Sequence, residues 1–231
     1  MCMVHGDDKG LVMPPRVAPT QVIICPIVSK SASNKQLKDY AEDIRAALLK
    51  VDIRAEIDSR ENYTPGWKYN HWEQKGVPLR IEVGPRDIAN KTARLVRRDT
   101  GAKSDEPVET LSAFVPNLMD TIQSDLFIKA KAGRDEKLVR VTKWDDFVPA
   151  LEKQCLVLTP WCKDSEWEDK VKAMSREAGL AEGEVEEDTC ATSVAAKTLC
   201  IPFEQPDLPE GTKCFVSGLD AKCWVLWGRS Y

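Results

Sequence analysis

The sequence predicts an α/β domain with a mixed sheet flanked by helices, followed by a second, α+β domain. Three observations lead there. Four short β-branched runs alternate with segments of helical period within about 115 residues. The pattern then restarts after Gly133. A chain of 231 residues is also too long for one comfortable core and too short for three.

The opening MCMVHGDDKGLVMPPRVAP runs a strand-like apolar stretch into a glycine-bearing turn with nothing before it to pair with, so Met1 is expected to be a boundary inside a longer protein. Residues 21–28 (QVIICPIV) form a short β-branched run that fits a buried strand, with Pro26 near its end, where a missing N–H matters least. Ser33 or Asn34 is placed to cap a helix carrying Leu37, Tyr40, Ala41, Ile44, Leu48 and Leu49 on one face. Residues 51–57 (VDIRAEI) alternate as a half-buried strand does, and Pro65 and Gly66 suit the start of a helix through Lys75. Residues 77–83 alternate again, with Leu79, Ile81 and Val83 on one face and Arg80 and Glu82 on the other, and VGPRD reads as the turn that ends them. A strand at 93–98 precedes the turn DTGAK, and a long amphipathic helix follows over 109–132, with Pro116 setting its start or kinking it.

In the second domain the pattern predicts helices at 144–153 and 164–178 and strands at 155–158, 199–203, 214–217 and 223–227. Residues 181–188 (AEGEVEED) are acidic and poor in large apolar groups, which predicts a loop.

A composition of 42% hydrophobic and 30% charged residues is that of a globular protein. No apolar run is long enough to cross a membrane, and the N-terminus lacks the apolar core of a signal peptide, so the cytoplasm is the expected location. Eight irregularly spaced cysteines then read as reduced thiols. Neither GxGxxG nor GxxxxGK[ST] occurs, there is no CxxC, and the two histidines, His5 and His71, have no partner nucleophile in sequence reach. The net charge of −4 hides a segregation: residues 51–103 hold 11 Lys and Arg against 8 Asp and Glu, and from Arg134 onward the balance is 13 against 19.

The densest chemistry lies in residues 58–87. Arg60, Lys68, Lys75, Arg80 and Arg86 share that stretch with Tyr63, Trp67, Tyr69, His71 and Trp72. Basic groups neutralise phosphates and read guanine edges while aromatic rings stack on splayed bases, so the mixture suits single-stranded RNA. Tryptophans in a helix also serve as core, and arginines on strands also simply face water.

The strings HGDDKGLVMPPRVAP, ENYTPGWKYNHWEQKGVPLRIEVGPRD and RRDTGAK, and the ending AKxxxLWGRSY, resemble the eukaryotic and archaeal-type prolyl-tRNA synthetases. The resemblance implies a tail of the class II catalytic domain over residues 1–19, an α/β anticodon-binding domain over 20–133 and a C-terminal domain over 134–231. It further implies tRNA(Pro) as partner. For the intact enzyme it implies proline, ATP and Mg²⁺ as well, and a homodimer. The family's ATP and proline motifs would lie before Met1, so these residues alone are expected to be inactive and to carry no catalytic side chain. Anticodon reading falls on Arg60, Lys68, Lys75, Arg80, Glu82 and Arg86, cations toward guanine O6 and N7 and the carboxylate toward N1 and N2. Members commonly hold zinc in the C-terminal domain through cysteine pairs spaced C-x4-C and CxC. Here Cys162 and Cys214 match the first of each pair, but Trp167 and Val216 stand at the second, so no zinc is expected. A stand-alone binding or regulatory module built on the same fold is the alternative reading.

Overall fold

A computed structural model describes residues 1–27, 34–181 and 195–229. The contacts divide it into two compact units, Met1–Lys131 and Ala132–Tyr231. The expected cap at Ser33, most of the acidic loop, Cys190 and the last two residues lie outside the described residues.

In the first unit a single turn of helix, α1 (Cys2–His5), stands where a strand-like opening was expected, and leads to an extended segment. Then follow β1 (Val22–Pro26), α2 (Asn34–Leu49), β2 (Ala55–Ile57), α3 (Pro65–Gln74), β3 (Leu79–Val83), α4 (Pro85–Asn90), β4 (Thr92–Arg97) and β5 (Lys103–Pro107). A 3₁₀ turn enters α5 (Leu111–Glu136), which carries Pro116 in its interior rather than at its start. The sheet order is β2-β1-β3-β4-β5. β1 runs parallel to β2 and β3, whereas β4 is antiparallel to β3 and β5, which makes the sheet mixed.

Strand parity divides the core. Val22, Ile24, Leu79, Ile81, Val83, Ala93 and Leu95 face Ala41, Ile44 and Leu48 of α2 and Leu111, Val115, Met119, Ile122 and Leu126 of α5. These helical positions recur every three or four residues, the spacing that puts them on one stripe. The opposite face carries Ile23, Cys25 and Val77, packed against Tyr69 and Trp72 of α3. β1 is thus covered on both sides, which explains its unbroken apolar run.

Two elements differ from expectation for local reasons. VGPRD is a helix start and not a plain turn, since Pro85 occupies the first turn of α4 and the Asp87 carboxylate accepts the Gly84 N–H at 2.7 Å. Residues 51–53 close the end of α2, with Asp52 at φ 61° and the Ile53 N–H on the Leu48 carbonyl, so only Ala55–Ile57 is strand.

The second unit contains β6 (Leu138–Arg140), α6 (Trp144–Glu152), β7 (Leu156–Trp161), α7 (Ser165–Ala181), β8 (Ala196–Cys200) and β9 (Cys223–Arg229) in the order β6-β7-β9-β8. Its core is aromatic: Phe147, Trp161, Phe215 and Trp227 meet at ring-centroid distances from 4.9 to 6.1 Å. The expected strand at 214–217 is instead a turn, closed by the Cys214 N–H on the Leu219 carbonyl at 2.8 Å, that drops Phe215 into this core. The expected strand at 199–203 sits three residues earlier, leaving Phe203 fully exposed. Among the described residues no helix is long and apolar enough to cross a membrane.

Candidate nucleic-acid interface

α3 carries Trp67, Lys68, Tyr69, His71 and Trp72 of the sequence-predicted set, and its start is well specified. Thr64 caps it by accepting the Trp67 N–H at 3.4 Å, and Pro65 fits the first turn. The helix lies on the sheet face that displays Arg80 and Glu82 of β3. Arg80 is therefore almost completely covered, with its guanidinium 4.1 Å from the centre of the Tyr69 ring. Its Nε donates to Glu82 at 3.0 Å and its Nη1 to Glu73 at 3.0 Å, while Nη2 makes no hydrogen bond among the described residues. Two carboxylates and a ring thus fix one guanidinium and leave part of its donor set unspent. Burial pushes the Tyr69 hydroxyl well above its usual pKa, aided by the nearby Glu82 charge, so the ring stays neutral.

Glu82 also lines a groove of about 350 Å³ with Arg86, Asp87, Arg94 and Asp105. Arg86 projects into solvent, and Arg94 is held bidentate by Asp105 at 2.8 and 2.9 Å. A carboxylate and a cation with no ion pair among the described residues therefore face one space.

Asp58, directly after β2, organises another side of α3. Arg60 grips its two oxygens at 2.8 and 2.6 Å, Trp72 donates its indole N–H at 2.8 Å, and Lys68 donates to its backbone carbonyl at 3.1 Å. Burial pushes the Asp58 carboxyl up, but the hydrogen bonds from Arg60 and Trp72 outweigh it and hold the pKa at about 2. Lys68 is only 4% exposed and turns into the protein rather than toward solvent. On the outer face, Tyr63, Trp67 and His71 stack at centroid distances of 3.8 and 5.0 Å, with the Arg60 guanidinium 4.9 Å from the Trp67 ring. Lys75, exposed, reaches over Trp72 at 4.7 Å.

The six predicted residues are thus distributed. Arg80, Glu82 and Arg86 share the β3 side of α3. Arg60 and Lys68 border a cavity of about 500 Å³ past the ends of β1 and β2, and Lys75 lies at the far end of α3. Sequence reading missed Glu73, Asp58 and Arg94. Glu73 was detectable, since it follows Tyr69 by four residues and so shares its helical face. Asp58 and Arg94 gave no signal apart from their charge.

In the second unit Cys162, just past β7, and Cys214 are both buried, and the Ser217 hydroxyl reaches the Cys162 sulfur at 3.6 Å. Trp167 and Val216 instead pack against the aromatic core, and the Lys170 ammonium sits 4.2 Å over the Trp167 ring. Two thiols with apolar groups at the other two positions do not fit a tetrahedral zinc ion. Among the described residues no three His, Cys, Asp or Glu side chains cluster as metal ligands.

Two family models match the chain: an anticodon binding domain over residues 21–118 and the prolyl-tRNA synthetase C-terminal region over residues 144–231. A cytoplasmic proline–tRNA ligase of Arabidopsis thaliana is 48% identical over 232 residues, covering 100% of this chain and 41% of the relative. A putative proline–tRNA ligase of Saccharomyces cerevisiae is 43% identical, with 100% and 34% covered. Proline–tRNA ligase 2 of Clostridioides difficile is 40% identical, with 100% and 43% covered. The chain therefore spans less than half the length of these relatives.

Proposed function

The chain belongs to the prolyl-tRNA synthetases, matching their C-terminal part throughout, and from that premise we propose that it reads the anticodon of tRNA(Pro) on the α3 side of its first sheet. The observation that carries this reading is the meeting of Glu82 and Arg86 in one groove, with Glu82 fixed from behind by Arg80. Guanine offers N1 and N2 donors on one edge and O6 and N7 acceptors on another, so a carboxylate beside a guanidinium is its complement. Preorganisation by Glu73 and Tyr69 spares the cost of ordering Arg80 when a base arrives.

In this reading the Tyr63–Trp67–His71 stack, exposed at Tyr63 and Trp67, takes flanking nucleotides with Arg60 and Lys75 by stacking and phosphate pairing. Lys68 braces α3 from inside. Proline, ATP and Mg²⁺ are bound by the intact cytoplasmic enzyme outside this span, the homodimer belongs to that enzyme, and the 231 residues alone do not activate proline. The C-terminal domain is held by its aromatic core without zinc.

The test compares binding of an RNA stem-loop bearing a UGG anticodon with one whose two guanines are replaced by adenine. Tighter binding of the first supports the reading, and equal affinity overturns it.

A further inference from the structure

The extended segment after α1 is fastened to the last turn of α3. The Leu11 N–H donates to the Gln74 carbonyl at 3.1 Å and the Met13 N–H to the Gly76 carbonyl at 3.0 Å. Carbonyls at a helix end that would otherwise seek water are thereby satisfied by this strap. Contact is close enough to require glycine on both sides. Gly10, at φ 126°, would place a Cβ 2.7 Å from the Gln74 Cα, and Gly76, at φ 73°, would place one 2.6 Å from the Leu11 backbone.

One ion pair completes the attachment. Arg98, whose side chain is 3% exposed, donates from Nη1 and Nη2 to the two oxygens of Asp7 at 2.7 and 2.6 Å, across 91 residues of sequence. Its Nε donates to the backbone carbonyl of Glu73 at 2.9 Å. Glu73 in turn holds Arg80, and Arg80 holds Glu82. Charge-assisted bonds joined through the covalent frame of Glu73 therefore link Asp7 to the groove. Asparagine at position 7 keeps one acceptor oxygen but loses the charge and the second oxygen, so one Nη of the deeply covered Arg98 loses its partner and turns toward another acceptor. The next carboxylate along the run is that of Glu73, whose backbone carbonyl Arg98 already holds. Glu73 cannot serve Arg98 and Arg80 with unchanged geometry.

We propose that Asp7 and Arg98 are positioning residues for anticodon recognition, setting through Glu73 the place of Arg80 and Glu82. The inference rests on the reading of the α3 face given above. It makes the strap part of the specificity apparatus, although the strap lies outside residues 21–118, the span of the anticodon-binding match.

The experiment measures affinity of the whole chain for the UGG stem-loop and for its adenine-substituted counterpart, in wild type, Asp7→Asn and Asp7→Glu. We expect Asp7→Asn to lower the guanine preference about tenfold while affinity for the substituted loop holds, and Asp7→Glu to restore most of it. A role confined to holding the fold predicts an equal fall for both RNAs, and that result overturns the proposal, as does full preference in Asp7→Asn. Should Asp7→Asn fail to fold, Glu73→Gln cuts the same run further along and is read by the same ratio. A wild type without preference defeats the anticodon reading itself, and this inference with it.

Discussion

Trp72 donates its indole N–H at 2.8 Å to Asp58, whose carboxylate is wholly shielded from solvent and already gripped at both oxygens by Arg60. One side chain at the end of β2 therefore anchors α3, the helix that carries the aromatic stack on one side and covers Arg80 on the other.

This anchor makes the first unit sensitive to acid. With its folded-state pKa at about 2 against an ordinary 3.8, Asp58 stabilises the fold at every pH above about 4, and the contribution disappears as pH falls from about 4 to about 2. Its size is about 2 kcal/mol. Urea denaturation across that interval should show wild type losing stability faster than Asp58→Asn, which is weaker at neutral pH but has no carboxylate there to protonate.

Arg80→Ala should weaken binding of the UGG stem-loop by about 1–3 kcal/mol, the usual worth of a base contact. Arg80→Lys should recover little, because one ammonium cannot span Glu73 and Glu82 and also keep the guanidinium's contact with the Tyr69 ring. Isothermal titration of both variants checks this, and unchanged affinity removes Arg80 from the reading face.

In the second unit Trp227 donates its indole N–H to the Thr159 hydroxyl at 2.9 Å, with both residues fully buried. Thr159→Val strands that donor and should cost about 1–3 kcal/mol in urea unfolding. In a double-mutant cycle with Trp227→Phe, the Thr159 substitution should cost less once the donor is gone.

Purified protein should contain far less than one zinc per chain by elemental analysis, and a strong chelator should leave the thermal midpoint unchanged. Stoichiometric zinc would overturn the assignment of the C-terminal domain to aromatic packing alone.

How legible all this was in the sequence depended on what each residue contacts. β1 declared itself because both of its faces are buried, and α5 because its stripe is long. β5, with the sequence Lys-Ser-Asp-Glu-Pro, pairs only with β4 at the sheet edge and buries no side chain fully, so no apolar alternation marked it. Phe215 suggested a strand although it belongs to a turn, because a single inward aromatic looks alike in either setting. Parity placed Arg80 and Glu82 together, but only the packing of α3 shows that Arg80 is enclosed while Arg86, six residues on, is exposed. Pairing partners such as Asp7 with Arg98 leave no local trace at all.

That last pairing also bears on the order of events in folding. β3, β4 and β5 join through successive antiparallel connections of short reach, which close early, whereas β1 must find β3 across α2, β2 and α3. Asp7 meets Arg98 as it does only once α3 and β4 are in place, because Arg98 sits directly after β4 and donates to the α3 backbone, on whose last turn the strap rests. The strap is thus a late latch: cutting it should quicken unfolding while leaving the refolding rate almost untouched.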